Sequence, residues 1–393
     1  MVLNAGFPWT LPFSPNTPSS AAKIRRCARP LLVRAFPPLL RPAAAVTMTL
    51  AWPVRSFFAT RWMINSLPPD AFPARSRGTL FRAAWWAALR HNIPPLEYFA
   101  YRMPDTPDVS PSAWLVQTEV PRIAVSLATP EAKRLATDKH RFWQFCRETG
   151  LPAVPTLALF GEAADLSRPK EAGVILKPRF GSNARGLEYW EASGDGYRCH
   201  GSTQLVGEPL DWPGLCAHAA ARRIAEGEEF IMQPYLRLHP VLRAVIENGM
   251  PTARIVTGLS PGGTVSLISA SFARPRPDSI VSNGGPRRTV DFTSGRLEPP
   301  RVGQYNSIFL DSDLAEDLDG LVLPDWPRAC EIVLAAHRAF PSLAVLLGWD
   351  VAFTDEGPVL IETNLGVSPF TEQTDSLVPA GTTPIADLIA AWL

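Results

Sequence analysis

The chain is 393 residues long, 46% hydrophobic and 19% charged, enough for two or three domains around a sizeable core. No uncharged apolar run reaches the ~18 residues that a membrane-spanning helix needs. The scattered cysteines (Cys27, Cys146, Cys199, Cys216 and Cys330) form no closely spaced pair and have no histidine at zinc spacing, so they read as reduced thiols of a cytosolic protein.

The formal net charge of +1 hides a split. Residues 1–104 carry 13 Lys and Arg against 2 Asp and Glu, whereas residues 105–393 carry 25 against 35. A basic front of this kind can meet acidic lipid, a polyanion or the protein's own acidic body. Residues 1–47 are rich in Pro, Ala, Ser and Arg and contain no acid. No helical or strand period persists there, which predicts disorder. The disordered Pro/Arg-rich segment is drawn at 1–60 and a helical N-terminal region at 61–149. The acid-free start also fits a transit peptide, and a translation start at Met48 is a further reading. The apolar stretch 43–54 is too short to span a bilayer and contains Pro53.

Over 78–91, Leu80, Phe81, Ala84, Trp85, Ala88 and Leu89 share one helical stripe. The stripe predicts a helix packed on the acidic body of the chain. Trp85, Trp86 and the bordering arginines also fit a helix lying in a membrane interface, and hence a weak peripheral membrane contact. Residues 92–125 read as a Pro-broken connection. Thr129-Pro130-Glu131 opens a helix with an N-cap, a first-position proline and a first-turn acid. A second helix runs from Asp138-Lys139 to Gly150.

Strands are predicted over 154–160, 173–176, 187–190, 197–200, 229–235, 253–258 and 264–272, and helices over 217–225, 327–340 and 385–393. The irregular alternation, without βαβ units, predicts an α+β fold. The acidic stretch 311–320 departs from calcium-loop spacing at Ala315 and Glu316 and reads as a solvated loop. His239 reads as structural or as a ligand contact. There is no G-x-S-x-G elbow and no basic-aromatic pattern for nucleic acid.

Two stretches carry chemistry. In 174–186 a strand ends in Lys177 and runs into a loop of small residues, Gly181, Ser182, Asn183 and Gly186 among them. Backbone N–H groups of such a loop can approach a phosphate, and Lys177 would add a point charge. An ordinary hairpin explains the same residues. Lys139, near a helix start, is a second candidate, with a solvated surface lysine as the competing reading. The other stretch is 347–364, two apolar strands around Asp355-Glu356-Gly357, which suits a three-residue hairpin loop. In that register Asp350 lies opposite Glu362, and Asn364 falls on the same face. Two carboxylates and an amide oxygen suit Mg²⁺ better than zinc. The competing reading is a solvated polar face.

In order, Asp138-Lys139, Ile175-Leu176-Lys177-Pro178, Glu229-Phe230-Ile231-Met232-Gln233-Pro234-Tyr235, Arg254-Ile255-Val256-Thr257, Asp350 and Glu362-Thr363-Asn364 resemble the landmarks of the ATP-grasp superfamily. Gly348-Trp349-Asp350-Val351, Ser282-Asn283-Gly284-Gly285 and Glu97-Tyr98-Phe99 are similar to its sugar-transfer-associated branch, near the alpha-L-glutamate-ligase-related proteins. The resemblance covers roughly residues 75–393.

It implies that Lys139 and Lys177 hold ATP phosphates under the 181–186 loop. It implies that Gln233, Pro234, Tyr235 and Leu236 form the hinge that meets adenine, and that Arg254 lies near the terminal phosphate. Asp350, Glu362 and Asn364 would hold Mg²⁺. An acidic ribose contact is not evident, since Arg237 and His239 stand where it is expected. The implied fold has two α+β subdomains, a lid at 150–235 and a metal-binding part at 236–393, sandwiching the nucleotide. The implied activity is a cytoplasmic ATP- and Mg²⁺-dependent carboxylate ligase acting through an acylphosphate, in cell-surface polysaccharide or peptide modification. The alternative is a nucleotide-binding scaffold or regulator of glycan assembly without turnover. Neither the carboxylate nor its acceptor can be read from the residues.

Overall fold

The computed structural model describes residues 17–160, 173–181, 184–200, 205–247, 249–276, 279–282, 285–299 and 318–393. The N-terminal region is helical from its first described residues. Helix α1 (Ser19–Ala28) is followed by α2 (Arg41–Ser66), α3 (Arg77–His91), α4 (Pro95–Ala100) and α5 (Glu119–Leu127). The disorder predicted over 1–47, and drawn on to 60, therefore does not hold for 19–28 or 41–60. Ala21, Ile24 and Ala28 pack against Leu115, Val120, Ile123, Ile385 and Ile389. The buried positions 21, 24, 25 and 28 do recur at helical spacing, but small alanines and an arginine hide that face in the sequence, and the helix is stabilised by tertiary packing of it. Helix α2 continues through Pro53. Helices α4 and α5 form within the stretch read as a broken connection.

Helices α2, α3 and α4 share a core of Met63, Phe72, Leu80, Phe99, Tyr101 and Trp114. Ser76 caps α3, accepting from the Thr79 N–H at 3.2 Å, and Asn92 ends it in the left-handed conformation. Within this core lies Glu97, fully buried. One of its oxygens accepts from the Tyr101 hydroxyl and the Gln117 N–H, each at 3.1 Å. Burial outweighs these donors and raises its carboxyl to about 8.

The folded protein then keeps the Glu97 proton where the unfolded chain has released it. Its contribution to stability is full below the usual carboxylate range and is lost as the pH rises toward about 8, at about 1.4 kcal/mol per pH unit. Glu97→Gln should flatten this slope and raise the urea midpoint at pH 8 relative to the parent. A parallel pH profile in the variant would refute the assignment.

Helices α6 (Pro130–Thr137) and α7 (Lys139–Glu148) lead into a six-stranded antiparallel sheet. Its strands are β1 (Ala158–Phe160), β2 (Gly173–Pro178), β3 (Glu188–Ser193), β4 (Gly196–His200), β5 (Leu205–Leu210) and β6 (Phe230–Pro234), in the order β1-β6-β2-β3-β4-β5. Helix α8 (Trp212–Glu226) starts at the cap Asp211, ends at the left-handed Gly227, and lays Leu215 and Ala219 on Val174, Leu176 and Met232.

After the short helix α9 (Pro240–Arg243) comes a second antiparallel sheet. Strands β7 (Thr252–Leu259), β8 (Val265–Ala273), β9 (Arg287–Thr289), β10 (Leu346–Thr354) and β11 (Gly357–Asn364) pair as β11-β10-β7-β8-β9. Helix α10 (Trp326–Ala339) covers it, with Ile332, Val333 and Ala336 in one core with Ile255, Trp349 and Phe142. The isoleucine, valine and phenylalanine side chains here each contribute about 1.5–3 kcal/mol by leaving water. Helices α11 (Pro369–Ser376) and α12 (Pro384–Ala391) close the chain.

The hairpin turn is tighter than predicted. Thr354 pairs with Gly357, so the loop has two residues, Asp355 and Glu356, and Gly357 takes φ 110°. Continued unbroken, that register would set Asp350 against Ile361. A bulge between Asp350 and Val351 takes up one residue of β11 and brings Glu362 opposite Asp350 after all.

Candidate active site

Strand β10 is paired on both sides, and Asp350 is its one residue that is not fully buried. Asp350 pairs with Glu362 on β11 and with Arg254 on β7. Asn364 pairs with Gly348, one step along the same face. The backbone of three neighbouring strands thus carries three oxygen-bearing side chains and one guanidinium to a single patch. Arg254 forks onto Asp350 through Nε and Nη2, the latter at 3.0 Å from Oδ2. Gly348 makes room for this fork, because a Cβ there would lie 3.2 Å from the Arg254 Cδ. Asn364 Nδ2 donates to Glu362 Oε1 at 3.3 Å.

Opposite this patch stand the two lysines, both lining the same cleft. Lys177 is the fifth residue of β2, and Lys139 opens α7. They are brought together by Arg179, a residue of the 174–186 stretch to which the sequence assigned no role. Its guanidinium bonds Asp138 at 2.8 and 2.6 Å and Glu229 at 2.8 Å. Asp138 also caps α7, accepting from the Arg141 N–H at 3.1 Å. The Lys139 N–H donates to the Arg179 carbonyl at 3.2 Å, and its ammonium donates to the Gly181 carbonyl at 2.8 Å. A bidentate arginine is suited to such a clamp because its donors are fixed in one plane.

The electrostatics couple the two sides. Burial lowers Lys177 to about 8; Glu362 and Asp350 oppose the shift, and the charge of Lys139 adds to it. Burial would raise Glu362, but Lys177, Lys139 and Arg254 outweigh it and hold the carboxyl below its usual value. Asp350 moves the other way, to about 6, because its burial and the charge of Glu362 exceed the pull of Arg254. The patch therefore holds buried positive charge in excess of what its own carboxylates balance at neutral pH, which is the condition for receiving a polyanion.

The cleft, about 460 Å³, is lined from both sheets. On the first sheet its wall includes Gln233, Pro234, Tyr235 and Leu236. Gln233 is buried and donates to the Val154 carbonyl at 3.2 Å. The Tyr235 N–H is taken up by the Gly173 carbonyl at 2.9 Å, and its ring stacks on Tyr189 at 4.1 Å. Gly181 lines the cleft; Gly186 turns back at φ 70°. Ser182 and Asn183 lie outside the described residues, as do Asn283 and Gly284 and the acidic stretch up to 317. His239 lies away from the lining and caps α9, its Nδ1 accepting from the Val241 N–H at 3.2 Å. Arg237 reaches Asp355 at 3.6 Å.

Thr252, Arg287 and Glu372 also line the cleft and carried no sequence signal, whereas Ser282 belongs to the motif that carried the resemblance. Burial raises the Glu372 carboxyl; one oxygen accepts from the Ser269 hydroxyl at 2.8 Å. Only the packing of α11 on the sheet brings Glu372 to the cleft.

Among the described residues no three His, Cys, Asp or Glu side chains cluster as a metal site. A cation here would rest on Glu362, the Asn364 oxygen and Asp350, whose lone pairs exceed the two that Arg254 uses, with non-protein oxygens completing its shell. That oxygen-only donor set fits Mg²⁺, which keeps much of its shell from water and phosphate.

A family model described as sugar-transfer associated ATP-grasp matches residues 126–374, a span that includes both sheets, both lysines and the hairpin. No curated protein matches the chain. Among solved structures it is similar to D-alanine–D-alanine ligase from Bacillus anthracis complexed with ATP, at 14% identity, covering 67% of each chain, with a TM-score of 0.37. It is also similar to D-alanine–D-alanine ligase from Helicobacter pylori, at 13% identity, 71% of this chain and 70% of that one, TM-score 0.40. A third is the RimK domain protein ATP-grasp from Sphaerobacter thermophilus, at 14% identity, 67% and 69%, TM-score 0.35.

Proposed function

The chain belongs to the sugar-transfer associated ATP-grasp family and has the ATP-grasp fold, and from that premise we propose that it is an ATP- and Mg²⁺-dependent ligase that activates a carboxylate. The observation that carries this reading is the convergence of Lys139 and Lys177 with Asp350, Glu362 and Asn364 on one cleft between two sheets. In the proposed reaction a substrate carboxylate oxygen bonds the γ-phosphorus as the bond to the ADP oxygen breaks. An amine or other nucleophile then attacks the acyl carbon, and phosphate leaves. Such a step needs charge neutralisation and positioning rather than covalent help from the protein.

Lys177 and Lys139 are assigned to the phosphates. Arg254 holds Asp350 with one edge and is assigned to the terminal phosphate with the other. When bound, Mg²⁺ would neutralise phosphate charge beside Glu362 and Asn364. The 181–186 loop, tied by Lys139, is assigned to excluding water from the reactive acyl group. A cytoplasmic location, where ATP is available, belongs to the same reading, and so does a role in cell-surface polysaccharide or peptide modification.

The test is phosphate release by the purified protein with ATP, Mg²⁺ and mixed carboxylates and amines. Release that requires a carboxylate supports the ligase. ATP binding without release would establish the scaffold reading instead. Lys177→Met, close to isosteric in a buried position, should weaken ATP binding about ten-fold or more, the scale of a lost hydrogen bond to a charged group. Calorimetry reads this directly, and an unchanged affinity would remove Lys177 from the phosphate site.

A further inference from the structure

Helix α2 is built inside out for a helix in water. Its inward face buries Trp52, Ser56, Thr60 and Met63. The two hydroxyls bond within the helix, Ser56 to the Pro53 carbonyl at 3.1 Å and Thr60 to the Ser56 carbonyl at 2.7 Å. The outward face carries Val46, Leu50, Val54, Phe58 and Trp62, one residue every four along the 26-residue helix, each 54–73% exposed. Five large apolar side chains at that spacing form one continuous stripe, about 24 Å long at 1.5 Å per residue. Leu39 and Leu40 extend it past the helix start. On the other side, α3 is anchored by the Trp85 indole, which donates to the Pro53 carbonyl at 3.2 Å, and the next residue, Trp86, is again exposed.

The exposed arginines of this region are Arg61 on α2, Arg34 ahead of it, Arg75 just before α3, and Arg77 and Arg82 on α3. Neither α2 nor α3 contains an acidic residue, and of the two acids among residues 1–104, Glu97 is buried. No described helix is long and apolar enough to cross a membrane.

We infer that this face of α2 lies on the surface of an anionic lipid bilayer. Its apolar stripe enters the boundary between headgroups and acyl chains, and the arginines pair with the headgroups. An interfacial helix requires an apolar face, bordering cations and aromatic residues at the headgroup level, and Trp62 and Trp86 supply the last. The charge selects this occupant over a second copy, which would bring an equally basic face against the first. Docking here would hold the cleft beside the bilayer without placing any residue across it.

The full chain should sediment with vesicles of mixed phosphatidylglycerol and phosphatidylcholine, about ten-fold more than with phosphatidylcholine alone. The emission of its tryptophans should shift to shorter wavelength on binding. Leu50→Glu with Phe58→Glu, both at exposed positions, should return sedimentation to the vesicle-free level while ATP binding by calorimetry stays that of the parent, which shows that the fold is kept. High salt should weaken the binding. Equal sedimentation with neutral vesicles, no sedimentation with either kind, or an undiminished signal in the double variant would overturn the proposal. So would a lipid-free dimer that the double variant dissociates, which would identify a second copy as the occupant.

Discussion

Glu362→Gln is expected to lower phosphate release by about two to three orders of magnitude, the scale on which one preorganised electrostatic group acts in catalysis. The substitution keeps volume and shape and removes one charge. That charge is the first of the favourable interactions opposing the burial of Lys177, and it stands beside Asn364 in the oxygen set. The variant should keep its circular dichroism spectrum, since the core beneath the hairpin is untouched. It should also lose most of its response to Mg²⁺ titrated in the presence of ATP. Full turnover in the variant would show that Glu362 does not serve the reaction.

Deleting residues 1–29 should cost the protein its stability, visible as aggregation or as a large drop in the urea midpoint. Helix α1 is tied to the other end of the chain: Ser20 donates to Asp387 at 2.6 Å, and Lys23 donates to the Ala390 carbonyl at 2.8 Å. Arg25, 1% exposed, donates to the carbonyls of Ser112, at 2.7 Å, and Trp114, and it faces Glu119 at 3.5 Å. Arg29 approaches the same carboxylate at 3.7 Å. Removing both cations would leave buried Glu119 with Arg122 as its remaining counter-charge, and breaking a buried pair in this way costs up to about 3–5 kcal/mol even before the lost apolar contacts. The single change Arg25→Met should show a substantial part of this loss. A truncated protein with the midpoint of the parent would mean that α1 contributes nothing to the fold.

Elements whose signal is local could be read from the order of residues alone. The cap and first-position proline of Thr129-Pro130 mark α6 because the N-cap bond lies within one turn. The alternation around Asp350 and Glu362 marks the hairpin because the period of a strand is fixed by the backbone. The two lysines and the carboxylate pair were legible as residue types in a set order, and the family relationship rested on that order.

Tertiary structure decided the rest. The Asp350–Glu362 pair was expected from a three-residue turn; it arises from a two-residue turn corrected by a bulge, and a bulge is set by how β11 meets its neighbours. Arg179 looked like a loop residue until Asp138 and Glu229, 41 residues before it and 50 after it, met at its guanidinium. Glu372 enters the cleft only because α11 packs on the sheet. Helix α1 was overlooked because its buried face, Ala21, Ile24, Arg25 and Ala28, is made of alanines, one isoleucine and an arginine, and what holds it, Glu119 and the last helix, lies 94 residues or more away from Arg25. Short-range spacing records the bonds a residue makes within a turn or a strand; bonds across such separations exist only once the chain has folded.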